Sequence, residues 1–533
     1  VSRAEAARQA GLIKAWQQRL EAAAGPVRRI ETHASVLLIA GGMAYKLKKA
    51  LDLGFLDFRT LERRRHFCSE ELRLNRRSAP ELYLDVQPLT GDPAAPDLGG
   101  SGPVLEWVLR MRAFDNDGLW DRLAARGALR PEMVDALAGE LVALHRGAAV
   151  AAADDPAGQP AAIRALLLDS LELLDRLCSG AAQRRQLQVL RAWEAGTFAA
   201  LEPVFAERLR GGHVRECHGD LHLGNVTEVE GRTRLFDALE FDRALRFTDV
   251  TSDVAFLAMD LRAQALPRLA HRFVDACLAG SGDYDGLRVL RWYAVHRALV
   301  RAKVAALRAD QLAGTDAAAA AAAAELADRY LDAALAEIRP GPKLLLLTHG
   351  LPGSGKTLLT QSLLELLGAV RLRADVERKR LFGLAPLDRA DPGLRDRLYG
   401  DAANAATLDR LCDGAALALR AGWPVILDAT FIRRAVRERV LALAGSLGAR
   451  PLILDFRAPD ALLRERVLAR AARADDASDA GAAELALLQA AAEPLTAAEL
   501  AVCEPVDAAL PYDEAAMPAR WAPLLRRLGL GAG

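Results

Sequence analysis

The chain has 533 residues, more than one hydrophobic core organises, so roughly two to four domains are expected. Lys+Arg and Asp+Glu both total 70, so no polyelectrolyte partner is implied; nucleic acid is possible but not favoured. Six widely spaced cysteines without a Cys-x-x-Cys pair read as reduced and mostly buried, not as a disulfide framework.

The amphipathic start, Val1 to Gln18, lacks a signal-type apolar core, and the longest apolar runs, such as Leu344–Leu347, are strand-sized. A soluble, cytoplasmic protein with no membrane partner is expected, and its oligomeric state is left open by the sequence. Glu31-Thr32-His33-Ala34-Ser35 then opens a hairpin with strands Val36–Ala40 and Met43–Lys48 around the turn Gly41-Gly42. Alternation puts Ala44 and Lys46 on one face, and Ala44-Tyr45-Lys46 repeats the Ala-x-Lys of a kinase third strand. Such a lysine neutralises the α- and β-phosphates of ATP and needs a helix carboxylate to hold it. Glu71 in an expected helix Leu61–Arg77 fits, with Glu70 as the alternative and Cys68, Leu72 and Asn75 as the inward stripe. Lys48 and Lys49 are expected to be solvated.

No Gly-x-Gly-x-x-Gly is present, and Thr32 to Ser35 stand where a phosphate loop would be. The Pro/Gly-rich stretch Gly91–Gly102 is expected to be a mobile loop. Val104–Phe114 reads as a strand and hinge joining two lobes, with adenine near Met111. Val134, Leu137, Leu141 and Leu144 predict a helix over Pro131–Arg146, with a structural His145 at its end. Further helices are expected from Ile163 to Arg210.

Cys217-His-Gly-Asp-Leu-His-Leu-Gly-Asn225 places Asp220 five residues before Asn225. In a kinase catalytic loop that Asp accepts the substrate hydroxyl proton and that Asn holds magnesium. Leu235-Phe236-Asp237 suits a hairpin returning a second metal-binding carboxylate. Glu240 and Asp242 compete with Asp237, which is preferred because it ends the apolar strand. Asp253 is expected to brace the catalytic loop. The cationic run Arg297, Arg301, Lys303 and Arg308, in a helical region reaching about Arg339, reads as a solvated face, with a substrate-facing surface as the alternative.

The His-Gly-Asp-x-His-x-x-Asn form resembles the aminoglycoside phosphotransferase and choline kinase branch of the kinase-like fold. Glu-Thr-His-x-Ser (31–35), Gly-Phe-Leu-Asp-Phe (54–58), Arg-Glu-Cys-His-Gly-Asp-Leu-His (215–222) and Phe-Asp-Ala-x-Glu-Phe-Asp (236–242) narrow the resemblance. They are similar to the group in that superfamily often fused to a P-loop ATPase. The resemblance covers about 27 to 335 and implies a bilobal fold, without fixing an aminoglycoside as substrate.

Pro340-Gly341-Pro342 is a natural boundary, and a new strand, Lys343–Thr348, runs into Gly350-Leu-Pro-Gly353-Ser354-Gly355-Lys356-Thr357. This is a full Gly-x4-Gly-Lys-Thr loop with a strand before it and the helix Lys356–Leu367 after it. Its glycines let backbone N–H groups curl around phosphate, while Lys356 reaches the β- and γ-phosphates and Thr357 the magnesium. Val370–Asp375, Pro424–Asp428 and Leu452–Phe456 are further strands, the second closing on Asp428 in Walker-B fashion with Thr430 beyond. A helix Ala461–Arg473 carries Arg464, Arg466, Arg470 and Arg473. Its bland reading is a solvated helix paired with Asp460, Glu465, Asp475 and Asp476. Strands alternating with helices give a parallel sheet wound on both sides. This half resembles the P-loop kinases typified by polynucleotide kinase, gluconate kinase and zeta toxin. The resemblance implies Asp375 as candidate base, Arg378 as an acceptor contact and Arg466 or Arg470 as the lid cation.

A bilobal α+β kinase-like domain over 1–339 and a three-layer α/β/α P-loop domain over 340–533 are thus expected. The function expected is an ATP-dependent phosphotransferase with two ATP–Mg2+ sites, each acting on a hydroxyl of a small-molecule acceptor. Two other readings stay open: a nucleotide-gated sensor, and a nucleic-acid 5′-hydroxyl kinase acting through the C-terminal half.

Overall fold

The computed structural model describes residues 3–52, 56–178, 180–473, 477, 481–513 and 516–530, without the side chains of residues 3, 4, 392 and 471–473. Gly54 and Phe55 of the 54–58 motif, Asp475, Asp476 and the Arg473 side chain therefore lie outside the described residues. Two compact units form: Val1–Asp260 with His296–Tyr330, and Leu261–Val295 with Leu331–Gly533.

The first unit opens with a six-stranded antiparallel sheet in which strand Met43–Lys48 lies between Ser35–Ala40 and Val104–Arg112. Gly41 and Gly42 both adopt positive φ, 56° and 75°, the conformation a two-residue hairpin turn demands and most side chains resist. Alternation along the strands divides the sheet into two faces. On one face Val36, Leu38, Leu47 and Val108 pack against Leu12, Ile13 and Trp16 of the helix Arg3–Ala24. Gln9 of that helix clamps the two central strands together, donating to Glu106 at 2.6 Å and to the Lys48 carbonyl at 2.9 Å. Leu37, Ile39, Ala44 and Lys46 are left on the other face, where they line a cavity. The segment expected as a mobile loop is instead a hairpin end. Strands Tyr83–Asp92 and Ala95–Leu98 pair from Leu89↔Leu98 to Asp92↔Ala95, and Leu98 packs against the Leu12–Trp16 core. Its prolines and glycines mark a turn between strands rather than disorder.

The rest of this unit is mainly helical, with two short antiparallel pairs, Val214–Glu216 with Phe247–Asp249 and Val226–Val229 with Arg232–Leu235. Of the cationic run only Arg308 is exposed; Arg297 is buried and Arg301 and Lys303 are partly so. Arg297 is 6% exposed, with its Nε 3.0 Å from Ser252 Oγ and its guanidinium 5.0 Å from the Phe256 ring centroid. Arg301 donates to Tyr330 Oη at 3.3 Å. Ala298, Ala302 and Ala305 are buried along the same helix, and such small side chains let it sit deep enough to bury the flanking arginine stems.

The second unit holds a five-stranded parallel sheet, with Leu344–His349 central between Val425–Asp428 and Arg450–Arg457. Strand Val370–Arg373 forms one edge and Cys503–Asp507 the other. Cys503–Asp507 carries Pro505 and two acids, a composition that hides a strand in sequence but is tolerated at a sheet edge. Asp375 lies in the first turn of the helix Ala374–Leu381, because the strand stops at Arg373. Leu346, Ile426, Leu452 and Leu454 pack with Leu359, Leu363 and Trp521. Residues 261–295 belong to this unit through the helix Pro267–Ser281. Asp275 accepts from the Arg371 N–H at 2.9 Å, while Arg268 and Arg272 pair with Glu365 at 2.9 and 3.1 Å. No helix among the described residues is long and apolar enough to cross a membrane.

Candidate active sites

The cavity of the first unit, about 790 Å3, is lined by Lys46, Asp220 and Asp237 together with Thr32, Ser35, Ala44 and Met111. Lys46 Nζ donates to Glu71 and to Asp237, each at 2.7 Å. Burial works against the ammonium, but Asp237 and Glu71 outweigh it and raise its pKa well above that of free lysine. Glu71 is wholly buried behind Lys46 in the helix Leu61–Asn75 and does not line the cavity. Glu70 instead pairs with Arg73 at 2.8 Å and Arg246 at 3.1 Å. Thr32 Oγ1 closes its own turn, accepting from the Ser35 N–H at 3.0 Å.

Lys48 departs from expectation. It is 1% exposed, bridging Glu71 at 2.7 Å and Glu240, so it is a buried cation and not a solvated one. The signal was available: two residues beyond Lys46 on one strand, it faces the same way. Its ammonium is favoured over burial by Glu240 and Glu71, whereas burial raises the Glu240 carboxyl. Of the three competing acids, Glu240 is thus tied to Lys48. Asp242 caps the helix Arg243–Arg246 by accepting from the Ala244 N–H at 2.7 Å. Asp237 faces the cavity with φ 59°, a left-handed conformation a non-glycine residue holds only when its surroundings impose it. Here the Asp237 N–H donates to Tyr83 Oη at 3.1 Å and the Ala238 N–H to Asn75 Oδ1 at 2.9 Å.

The catalytic loop is braced from one helix, Val250–Ala263. Asp253 accepts from the His218 N–H at 2.8 Å, the Gly219 N–H at 3.0 Å and His145 Nε2 at 3.0 Å. Asp260, seven residues on and so on the same helix face, accepts from the Leu223 N–H at 2.9 Å and from Tyr330 Oη at 2.6 Å. Sequence reading singled out Asp253 and missed Asp260, although the spacing of two acids pointed to both. Asn225 does not line the cavity; its Nδ2 donates to the Asp220 carbonyl at 2.9 Å and to Asp220 Oδ2 at 3.2 Å. Burial would raise the Asp220 carboxyl, but His222, Arg301 and His218 hold it well below the usual carboxylate range.

In the second unit a cavity of about 710 Å3 is lined by Gly353, Gly355, Lys356, Thr357, Asp375, Arg378, Asp428, Arg466 and Arg470. Gly350 and Gly353 have φ 145° and 84°, and a Cβ there would come within 2.8 Å of the Phe456 carbonyl and 2.6 Å of the Leu463 carbonyl. Only glycine fits, which keeps backbone N–H groups turned toward the cradle. Ser354, 1% exposed, lies 3.4 Å from Lys356 Nζ. Lys356 Nζ donates to the carbonyls of Gly350 and Leu351, each at 2.9 Å. Burial lowers its pKa to about 8 despite Asp428 and Asp375. Thr357 Oγ1 donates to Asp428 Oδ2 at 2.7 Å. Arg378 is committed to the Leu398 carbonyl at 2.9 Å and Asn404 Oδ1 at 2.5 Å. Arg466 donates to the Ala508 carbonyl at 2.8 Å. Arg464 is exposed, away from the cavity.

Both cavities fit a nucleoside triphosphate and magnesium in donor chemistry: a lysine, acidic or amide oxygens, and in the second a glycine cradle.

Residues 345–495 match the AAA domain family. Uncharacterized proteins of Mycobacterium bovis and Mycobacterium tuberculosis are each 32% identical to this chain over 467 residues, 86% of it and 89% of theirs. The chain belongs to the family of these mycobacterial proteins. The AAA domain match falls within its second unit. A choline/ethanolamine kinase family protein from Mesorhizobium loti aligns with 62% of this chain and 99% of its own, at 13% identity and TM-score 0.37. A gluconokinase from Sinorhizobium meliloti aligns with 36% of this chain and 95% of its own, at 18% identity and TM-score 0.26.

Proposed function

We propose that this chain is an ATP-dependent phosphotransferase with two ATP–Mg2+ sites, one in each unit, each acting on a hydroxyl of a small-molecule acceptor. The observation that carries the reading is the meeting on one cavity of Lys46 with Asp220 and Asp237, which flank a hairpin far along the chain from it. ATP with magnesium would supply the γ-phosphoryl group and neutralise its charge. In the first site Lys46, steadied by Glu71, contacts the phosphates, and Asp237 holds magnesium, while Asn225 orients Asp220 from behind. Asp220 accepts the proton of the attacking hydroxyl. Its depressed pKa keeps it ionised for that role at neutral pH.

In the second site the backbone of Gly350, Gly353, Ser354 and Gly355 and the Lys356 ammonium cradle phosphate, while Thr357 and Asp428 hold magnesium. Asp375 accepts the acceptor proton, and Arg466 and Arg470 approach the transferred group from the lid helix. The Thr357–Asp428 hydrogen bond supports this pairing, since a hydroxyl and a carboxylate at that distance present oxygens to one ion.

The test is ADP release by purified protein against sugars, amino alcohols, aminoglycosides and 5′-hydroxyl oligonucleotides. Acceptor-stimulated ADP that falls in Asp220→Ala or Asp375→Ala protein supports the reading. Failure of every acceptor class, or stimulation indifferent to both substitutions, contradicts it.

A further inference from the structure

Beyond Asp220 the first cavity continues into a slot walled by the helices Pro160–Leu177 and Leu287–Leu312. Leu166 and Leu173, seven residues apart, face it from one helix. From the other come His296, Val300, Lys303 and Leu307, spaced four, three and four residues apart, so one continuous stripe points inward. The slot is apolar except for His296, Arg297 and Lys303. His296 is 7% exposed, and burial with neighbouring Arg297 and Lys303 pushes its pKa well below that of free histidine, so it is neutral. Arg297 is engaged with Ser252 and Phe256.

Lys303 is different. It is half-buried, its Nζ donates to Ser170 Oγ at 3.2 Å, and no carboxylate lies within ion-pairing distance of it among the described residues. Burial lowers its pKa, and Asp169 offsets only part of that. A partly desolvated ammonium facing an apolar slot with a lone hydroxyl partner lacks its counter-ion. The cavity's own acids do not supply one. Asp237 is bonded to Lys46, Glu240 to Lys48, and Asp242 to a helix N-terminus. Asp220 sits beside His222 and within the field of Arg301.

We infer that the acceptor of this cleft is a hydroxyl compound bearing an oxyanion, a carboxylate or phosphate, on an apolar spacer, with its hydroxyl at Asp220 and its oxyanion at Lys303. The inference rests on the phosphotransfer reading for the fate of the hydroxyl. Cationic acceptors are disfavoured here: an amine in the slot meets Arg297 and Lys303 and finds no uncommitted carboxylate beyond Asp220. This sets the cleft apart from kinases of amino alcohols built on the same fold.

The experiment is calorimetric binding to the full chain, with a non-hydrolysable ATP analogue present, of straight-chain ω-hydroxy acids, the monophosphates of the matched diols, the diols themselves and ω-amino alcohols. Acids or phosphates should bind at least about tenfold more tightly than the diols, as a charge-assisted hydrogen bond gives, and the better of the two identifies the oxyanion. Lys303→Met should erase that advantage, Lys303→Arg should retain it, and Lys303→Glu should turn the preference toward amino alcohols. Tighter binding of amino alcohols or aminoglycosides to the unaltered protein would overturn the inference. So would an advantage that survives Lys303→Met, or no binding by any member of the series. In a parallel incubation with ATP and Mg2+, Lys303-dependent binders that yield no phosphorylated product would refute the phosphotransfer reading while leaving the oxyanion site standing.

Discussion

Lys46 and Lys356 each face the cavity of their own unit, yet their surroundings differ in kind. Lys46 is clamped between two carboxylates, from residues 25 and 191 positions away in sequence. Lys356 is held by two carbonyls, from residues six and five positions away. The first lysine keeps its charge because opposite charges surround it, and the second holds its charge less firmly because burial outweighs the help of Asp428 and Asp375. A long-range site secures its cation by ion pairing, whereas a local loop secures it by backbone geometry and leaves the charge for a ligand to stabilise.

The comparison can be broken or sharpened at several points. The largest effect is expected at Asp220. Its replacement by Ala should lower turnover of the first site by ~10²–10⁴, the usual worth of general-base help, with ATP affinity little altered. Initial-rate kinetics with a first-site acceptor would read both quantities. Normal turnover would remove Asp220 from the chemistry.

Next come the lysines themselves. Lys48→Met strands two buried carboxylates, Glu71 and Glu240, and should cost about 3–5 kcal/mol of stability in urea unfolding. Adding Glu240→Gln should restore part of that loss. Lys356→Met, which strands no carboxylate bond, should be close to neutral for stability while weakening ATP binding. Equal destabilisation by both substitutions would erase the contrast drawn here.

Asp253→Asn should have a smaller effect, about 1–3 kcal/mol, because the side chain keeps an acceptor oxygen but loses its charge toward three donors. Faster hydrogen exchange at the His218 and Gly219 amides would report it, and unchanged exchange would mean the loop is held by other contacts.

The smallest effect is a pH dependence. The Lys356 pKa is lowered from that of free lysine to about 8, so below that pH the folded lysine is charged and above it neutral. ATP binding to the second unit should therefore weaken as pH rises through about 8, and above it should take up a proton. Calorimetry in buffers of different ionisation enthalpy measures that uptake; its absence would mean Lys356 is already charged there.

Legibility in the sequence follows the same division. The phosphate loop could be read whole because its strand, glycines, lysine and helix are contiguous. Asp220 and Asp237 were legible as cavity residues because one short hairpin links them, whereas Asn225, expected at the metal, turns its amide to Asp220 instead. Lys48 was misread because strand alternation shows only that it faces the same way as Lys46, while its burial depends on partners from residue 71 and residue 240. The stretch 91–102 was misread because turn residues say where a chain reverses, not whether its flanks pair. Arg297 looked solvated because charge on a helix is ordinarily outward, and its burial depends on small neighbours and Ser252. Residues 261–295 carry no signal tying them to the parallel sheet, since the ties are the Asp275 bond to the edge-strand backbone and ion pairs to Glu365, all distant in sequence.

The central claim is that each unit holds a complete phosphotransfer site of its own. It is tested most directly by measuring ATP turnover in Asp220→Ala, Lys356→Ala and doubly substituted protein, each with an acceptor for either site. Lys356→Ala should cost its own site on the order of 3 kcal/mol of transition-state stabilisation and spare the other. Asp220→Ala should do the reverse, and the double variant should retain neither activity. Loss of both activities in Lys356→Ala alone would contradict the account.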